Sequence, residues 1–316
     1  MTLHLHPRAA PGDRLRVWVG AFGRTTAPRL SWRLDGAERV PEALAPVCGA
    51  RPDELAEPGE RRAFTGVYEF RGAGIAPGTL HVVEALDDTG ERAALECRTL
   101  PAEIPGLLEN ESFNVLLVSC FHADQDRNGL AGTVVSQLNG PYQPHLTLMM
   151  GDQVYLDLPV LENFPDSDIP LARKFEASYT RNWTDPLAYA EVLRAAPAVA
   201  TGDDHEYWNN FPHAAPHLMN TWTAEGRARW AAAARALFGA FQLPQPEGWE
   251  RAVELEVAPL SLFVMDTRTF RREDRSAVLH PAVLAQLRAW AERVAREGKF
   301  GAVLSGQSLF EDPAGV

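Results

Sequence analysis

Five short apolar runs, Val115 to Ser119, Leu146 to Met150, Ala198 to Thr201, Leu260 to Met265 and Ala302 to Ser305, alternate with longer stretches of helical texture. Runs this short and this apolar read as strands buried on both faces, and their alternation with helices predicts an α/β sheet covered on its faces. Of the helices, Ala224 to Phe241 is alanine-rich, while Pro281 to Glu297 starts with proline in its first turn and stops at Gly298.

Upstream the texture differs. From Arg14 to Arg98 apolar residues alternate with period two, as in Leu15/Val17/Val19, Leu30/Trp32/Leu34 and Tyr68/Phe70, and further strands are expected over Thr79 to Ala85 and Arg92 to Arg98. Turn chemistry at Ala76-Pro77-Gly78 and Asp87-Asp88-Thr89-Gly90 lets successive strands pair as hairpins, which predicts a small all-β sandwich. Pro101 to Gly106, with two prolines and a glycine, breaks the pattern, so the domains are expected at 1–105 and 106–316. Two domains suit 316 residues.

The balance of 42 acidic against 30 basic residues, a net charge of −12, opposes sequence-independent attraction to nucleic acid or an anionic membrane. Cys48, Cys97 and Cys120 are too few and too scattered for a disulfide scaffold. The first residues have no basic start followed by an apolar segment, and no run of about 18 apolar residues occurs, so the chain reads as cytoplasmic.

The residues just past each run carry the chemistry. The first run leads into Ser119-Cys120-Phe121-His122, the second into Gly151-Asp152-Gln153-Val154-Tyr155, the third into Gly202-Asp203-Asp204-His205-Glu206, and the fourth into Asp266-Thr267-Arg268. Ligands bind outside the carboxyl ends of strands in open α/β sheets, so these groups are expected to converge on one pocket. Carboxylates, an imidazole, a phenol and a thiol are metal ligands by type, and a site with several carboxylates can hold two cations. Two cations suggest phosphoester hydrolysis, with a histidine at the leaving oxygen. Singly each piece has an ordinary explanation: Gly-Asp as a turn, Cys120 as a small buried apolar residue, Tyr155 as packing, Asp203 to His205 as a capped loop. Their coincidence at four strand ends favours a site.

These residues, with Asn209-Asn210 after Glu206 and Thr269-Phe270-Arg271 after Arg268, resemble the alkaline phosphatase D (PhoD-like) family of metallophosphoesterases, related to the purple acid phosphatases. The resemblance implies an αββα calcineurin-like sandwich, preceded by a fibronectin-like or immunoglobulin-like domain, and hydrolysis of a phosphomonoester or phosphodiester by a metal-bridging hydroxide. It implies that Asp152 bridges two metals, that Cys120 and Tyr155 hold a ferric ion, and that Asp204 holds a second ion, calcium or else manganese or zinc. It places His205 at the leaving group, and assigns Asp203, Asn210 and Arg268 to supporting the ligands or meeting substrate.

The chain departs from that pattern in one respect. Such enzymes complete the second metal site with a Gly-Asp-x-His or Gly-His-x-His segment beyond a later strand, and none occurs before Val316. His213 and His217, each preceded by proline, are expected in a surface loop, and His122 is a possible substitute ligand. The catalytic domain is therefore read as truncated at its C-terminus, a fragment of a longer enzyme in preference to a shortened homologue. The alternative is a non-catalytic relative with an incomplete second metal site that serves in binding or scaffolding.

Overall fold

The structure, a computed structural model, describes residues 2–104, 112–126, 128–160, 162–186 and 189–307. The expected boundary residues Pro105 and Gly106 lie outside the described residues.

The first strands are β1 (Thr2–Arg8), β2 (Arg14–Arg24), β3 (Leu30–Leu34), β4 (Ala37–Arg39), β5 (Glu42–Gly49), β6 (Arg62–Arg71), β7 (Leu80–Asp87) and β8 (Arg92–Arg98). They lie in two facing layers, one ordered β5-β6-β2-β1 and the other β4-β3-β7-β8. Leu5, Leu15, Val17, Val19, Phe64 and Phe70 of the first meet Trp32, Leu34, Val83, Ala85 and Leu95 of the second in one apolar cluster. The opposite face of the first layer is also covered, because Trp18, Phe22, Ala63 and Val67 pack into the core of the α/β part. Leu15, Val17 and Val19 are thus one half of a strand buried on both sides.

The later strands are β9 (Val115–Val118), β10 (Leu146–Met150), β11 (Ala198–Thr201), β12 (Val253–Val257), β13 (Leu260–Met265) and β14 (Phe300–Ser305). β11, β10 and β9 are parallel neighbours, and β1 joins them in parallel at Arg8 and Ala198, giving a seven-stranded sheet that runs across the expected boundary. β12, β13 and β14 form a separate three-stranded sheet.

These two sheets stack face to face. Leu146, Leu148, Met150 and Val199 point inward against Val253, Leu255, Leu262 and Val264. The period of two then sends Met149 and Ala200 to the opposite side; of helices α1 (Leu130–Ser136), α2 (Asp168–Thr184), α3 (Ala190–Arg194) and α4 (Ala224–Phe241), they meet α2 and α4 through Phe175, Tyr179, Trp230 and Leu237. On the far side Phe263 and Met265 of β13 meet Val283, Trp290 and Val294 of α5 (Pro281–Glu297). The order is helices, sheet, sheet, helix. α5 ends where Gly298 adopts φ 63°, and Thr223 caps α4 by accepting from the Gly226 amide at 3.0 Å. Among the described residues no helix is long and apolar enough to cross a membrane.

Burial separates two leucines that share a face and a register. Leu148 is 3% exposed between the sheets, whereas its partner Leu117 on β9 is 64% exposed. Leu148→Ala is expected to cost about 2 to 5 kcal/mol in urea unfolding, and Leu117→Ala within about 0.5 kcal/mol. Equal losses would place the core elsewhere.

Candidate metal centre

The parallel strands β9, β10 and β11 bring their carboxyl ends side by side, and the chain leaves two of them through reversed backbone. Cys120 has φ 57°, Gly151 97° and Asp152 58°. A side chain in this region is strained, so it persists only where the surroundings fix it. Here the Cys120 amide donates to the Gly151 carbonyl at 3.2 Å and the Phe121 amide to the Asp152 carbonyl at 2.8 Å. Asn210, also a left-handed residue with φ 65°, donates its amide to Asp204 Oδ2 at 2.6 Å.

Glu206, fully buried, binds the loops together. Its carboxylate accepts from the amides of Gln153 at 2.7 Å, Asp152 at 2.9 Å and Asp203 at 2.8 Å. Burial, with the nearby Asp152 charge, pushes its carboxyl up to about 8 against the lowering effect of those three amides.

The result is a compact donor set. One ligand atom from each of Asp152, Asp204 and His205 lies within 4.8 Å of the others. The Cys120 thiol lies 3.6 Å from Asp152 Oδ2, and the ring of Tyr155 lies against the His205 imidazole with centroids 4.2 Å apart. Asp152 thus meets the Cys120 thiol through Oδ2 and the His205 amide through Oδ1, with Tyr155 beside His205. Oxygen and imidazole donors at such separations suit a hard or borderline cation, and thiolate with phenolate suit a more highly charged one. The donor chemistry fits a metal centre.

Arg268 is 6% exposed and its fork is engaged: Nε and one terminal nitrogen meet Asp203 Oδ1 at 2.7 and 2.6 Å, and the other donates to the Phe211 carbonyl at 2.7 Å. Three of the five N–H groups of the guanidinium are thus engaged within the protein. Asn210 contributes its backbone to Asp204, and its side chain is exposed. His213 and His217 lie in the turn-rich segment between His205 and α4, outside the donor cluster among the described residues. The ring of His122 stands edge-on to Tyr155 at 5.3 Å, and its buried Nδ1 has no hydrogen-bond partner among the described residues.

Two features escape a reading of the sequence. Asp157, 1% exposed, accepts from His205 Nδ1 at 2.8 Å through Oδ1 and from the Asn209 amide at 2.8 Å through Oδ2. An acid two residues beyond Tyr155 is visible in the sequence, yet no spacing rule aims it at His205. Gly306, just past β14, lies so close to the ends of β10 and β11 that a Cβ there would sit 2.9 Å from the Met150 carbonyl oxygen.

Burial also raises the Asp152 carboxyl, helped by Asp204 and opposed by His205, and raises Asp203 to about 6 in spite of Arg268. Tyr155 is raised by burial and by the Asp152 charge. For His205 burial opposes protonation, but the bond to Asp157 and the charges of Asp157, Asp152 and Asp204 outweigh it and hold the imidazole above its usual range. With raised carboxyls the folded metal-free chain binds protons more tightly than the unfolded one. This stabilisation is complete below the ordinary carboxyl range and is lost as pH rises through about 6 for Asp203 and about 8 for Glu206. A cation displaces those protons, so its effect is weakest in acid. The rise in Tm on adding metal should be larger at alkaline than at acid pH, measured against a chelated control. A rise independent of pH would contradict this.

No curated protein sequence matches the chain significantly. A solved structure of PhoD matches with a TM-score of 0.56 at 14% identity, covering 85% of this chain and 52% of that one, so the chain spans about half the length of that relative. The amylomaltase from Corynebacterium glutamicum matches at 16% identity over 52% of this chain and 23% of its own, but its TM-score of 0.21 carries no weight. The sequence model of the PhoD-like phosphatases matches residues 115–299, the span from β9 to the residue before β14 that contains every donor described above. The chain belongs to the PhoD-like phosphatase family.

Proposed function

We propose that the chain is the metal-dependent phosphoester-hydrolysing part of a PhoD-like phosphatase, acting on phosphomonoesters or phosphodiesters of small molecules. The observation that carries this reading is the convergence of Asp152, Asp204 and His205 at the carboxyl ends of adjacent parallel strands, with the Cys120 thiol beside Asp152 and the Tyr155 ring beside His205. Chemistry is assigned to 106–316, and the strands of 1–105 act as support.

In this reading Asp152, Cys120 and Tyr155 would hold a ferric ion, and Asp152 with Asp204 would hold calcium, manganese or zinc. Bound cations would polarise a water molecule and neutralise charge on the phosphoryl oxygens. The protein groups do the rest. Glu206 and Arg268 hold the carboxylates in place, so little reorganisation is needed when substrate arrives. His205, whose imidazole Asp157 and the nearby carboxylates hold above its usual range, gives a proton to the departing oxygen.

The test is turnover of p-nitrophenyl phosphate and its bis-ester by protein loaded with iron plus calcium, then with manganese or zinc. Folded, loaded protein that hydrolyses neither would favour the binding role. Asp152→Asn should remove metal more completely than any other single change, because a neutral amide supplies neither the charge nor both oxygens; wild-type iron content in this variant would take Asp152 out of the bridge. Iron on Tyr155 or Cys120 should also colour the protein through charge transfer. Tyr155→Phe or Cys120→Ser should shift or bleach that band, and a spectrum unchanged in both would put the iron elsewhere.

A further inference from the structure

We infer that an apolar groove beside Cys120 receives the organic group of the phosphoester, so that the substrates are esters of uncharged, aliphatic alcohols in preference to anionic ones. This rests on the reading of the strand-end cluster as a phosphoester-hydrolysing site.

The groove, of about 560 Å³, lies between the end of β9 and helix α1, and the buried side chains of Tyr189 and Val192 close its depth. Its size is that of a small-molecule site. Leu130 and Val134, four residues apart, share one face of α1, and both are more than half exposed, as is Leu117 of β9. Ala131 and Val135 on the neighbouring face pack against the core, so α1 is anchored without the outward pair. That pair is apolar surface left in water, which gains when an apolar group covers it.

Two residues join the groove to the donor cluster. Cys120 lines it and holds its thiol 3.6 Å from Asp152 Oδ2, while His122 lines it and stands edge-on to Tyr155, whose ring packs on His205. An ester whose phosphoryl group is held at Asp152 can therefore extend past Cys120 into the groove. The lining also selects by charge. Among the described residues it has no lysine or arginine, and its one acidic side chain, Asp126, accepts from the Ala131 amide at 3.0 Å. A second phosphate or a carboxylate on the organic group would find no cation there and would meet the Asp126 carboxylate.

The test compares kcat/KM of metal-loaded protein on ethyl phosphate, hexyl phosphate and the length-matched ω-carboxypentyl phosphate, and on their methyl diesters. The three alcohols depart with similar ease, so the contacts of the organic group decide the differences. A methylene wholly withdrawn from water is worth about 4-fold, so in a groove open on one side hexyl should exceed ethyl by about 10-fold, with carboxypentyl no better than ethyl. Leu130→Gln and Val134→Gln, outside the core and the donor cluster, should each cut the hexyl preference by about 3-fold and leave ethyl phosphate unchanged. Equal values for ethyl and hexyl, a preference for carboxypentyl, or a hexyl preference untouched by both substitutions overturns the inference. Binding keeps the two readings apart. In zinc-loaded protein, hexylphosphonate, which is not hydrolysed, should shift the ¹³C-methyl signals of Leu130 and Val134, assigned by their loss in the two variants, and ethylphosphonate should not. If the wild type hydrolyses no ester, the phosphatase reading fails, while the methyl signals still decide the groove: signals that hexylphosphonate leaves in place overturn it.

Discussion

The donor cluster depends on one buried carboxylate. Glu206 gathers the amides of Asp152, Gln153 and Asp203, which leave the ends of β10 and β11, and in doing so sets the separation of the two ligand loops. Burying a carboxylate is unfavourable, and three backbone donors offset much of that cost while losing the penalty they would suffer if left unpaired. Arg268 makes the corresponding link between sheets. It rises from the end of β13 and meets Asp203 from the opposite side, so the site spans the seam between the stacked layers.

Each layer contributes a different part of the result. Inward-facing Leu148 and Val199 against Leu262 and Val264 make the seam dry and fix the sheets relative to each other. Outward-facing Met149 and Ala200 against α2 and α4 fix the helical layer. The loops at the strand ends can therefore carry strained backbone at Cys120 and Asp152, because the framework below them is rigid.

Much of this is readable from residues alone. Leu146 to Met150, Ala198 to Thr201 and Leu260 to Met265 are observed with the expected bounds, since uninterrupted apolar runs ending in polar clusters leave little choice. The helix from Pro281 to Glu297 is likewise bounded by its proline and Gly298. β1 escapes such a reading because its histidines and Pro7 mask a strand, while β12 alternates Val253, Leu255 and Val257 with Glu254 and Glu256, a strand pattern that a reading of uninterrupted apolar runs passes over. The continuity of the N-terminal strands with β11 is hidden for a different reason: alternation in β2 implies one buried face, whereas Trp18 and Phe22 bury the other as well. For the site, residue types and strand ends identify Asp152, Asp204 and His205 as neighbours. Sequence spacing carries no information on which acid faces which imidazole, so Asp157 becomes visible only in three dimensions.

The pairing of β1 with β11 has a consequence for how the chain is made. Arg8 emerges from the ribosome well before its parallel neighbour Ala198, which arrives only after much of the α/β part has been synthesised. Until then β1 has β2 on one side and a bare edge on the other. Such an edge invites pairing with other chains, and closing a long loop is slow. The nascent protein thus passes through a period in which β1 waits for a partner distant in sequence.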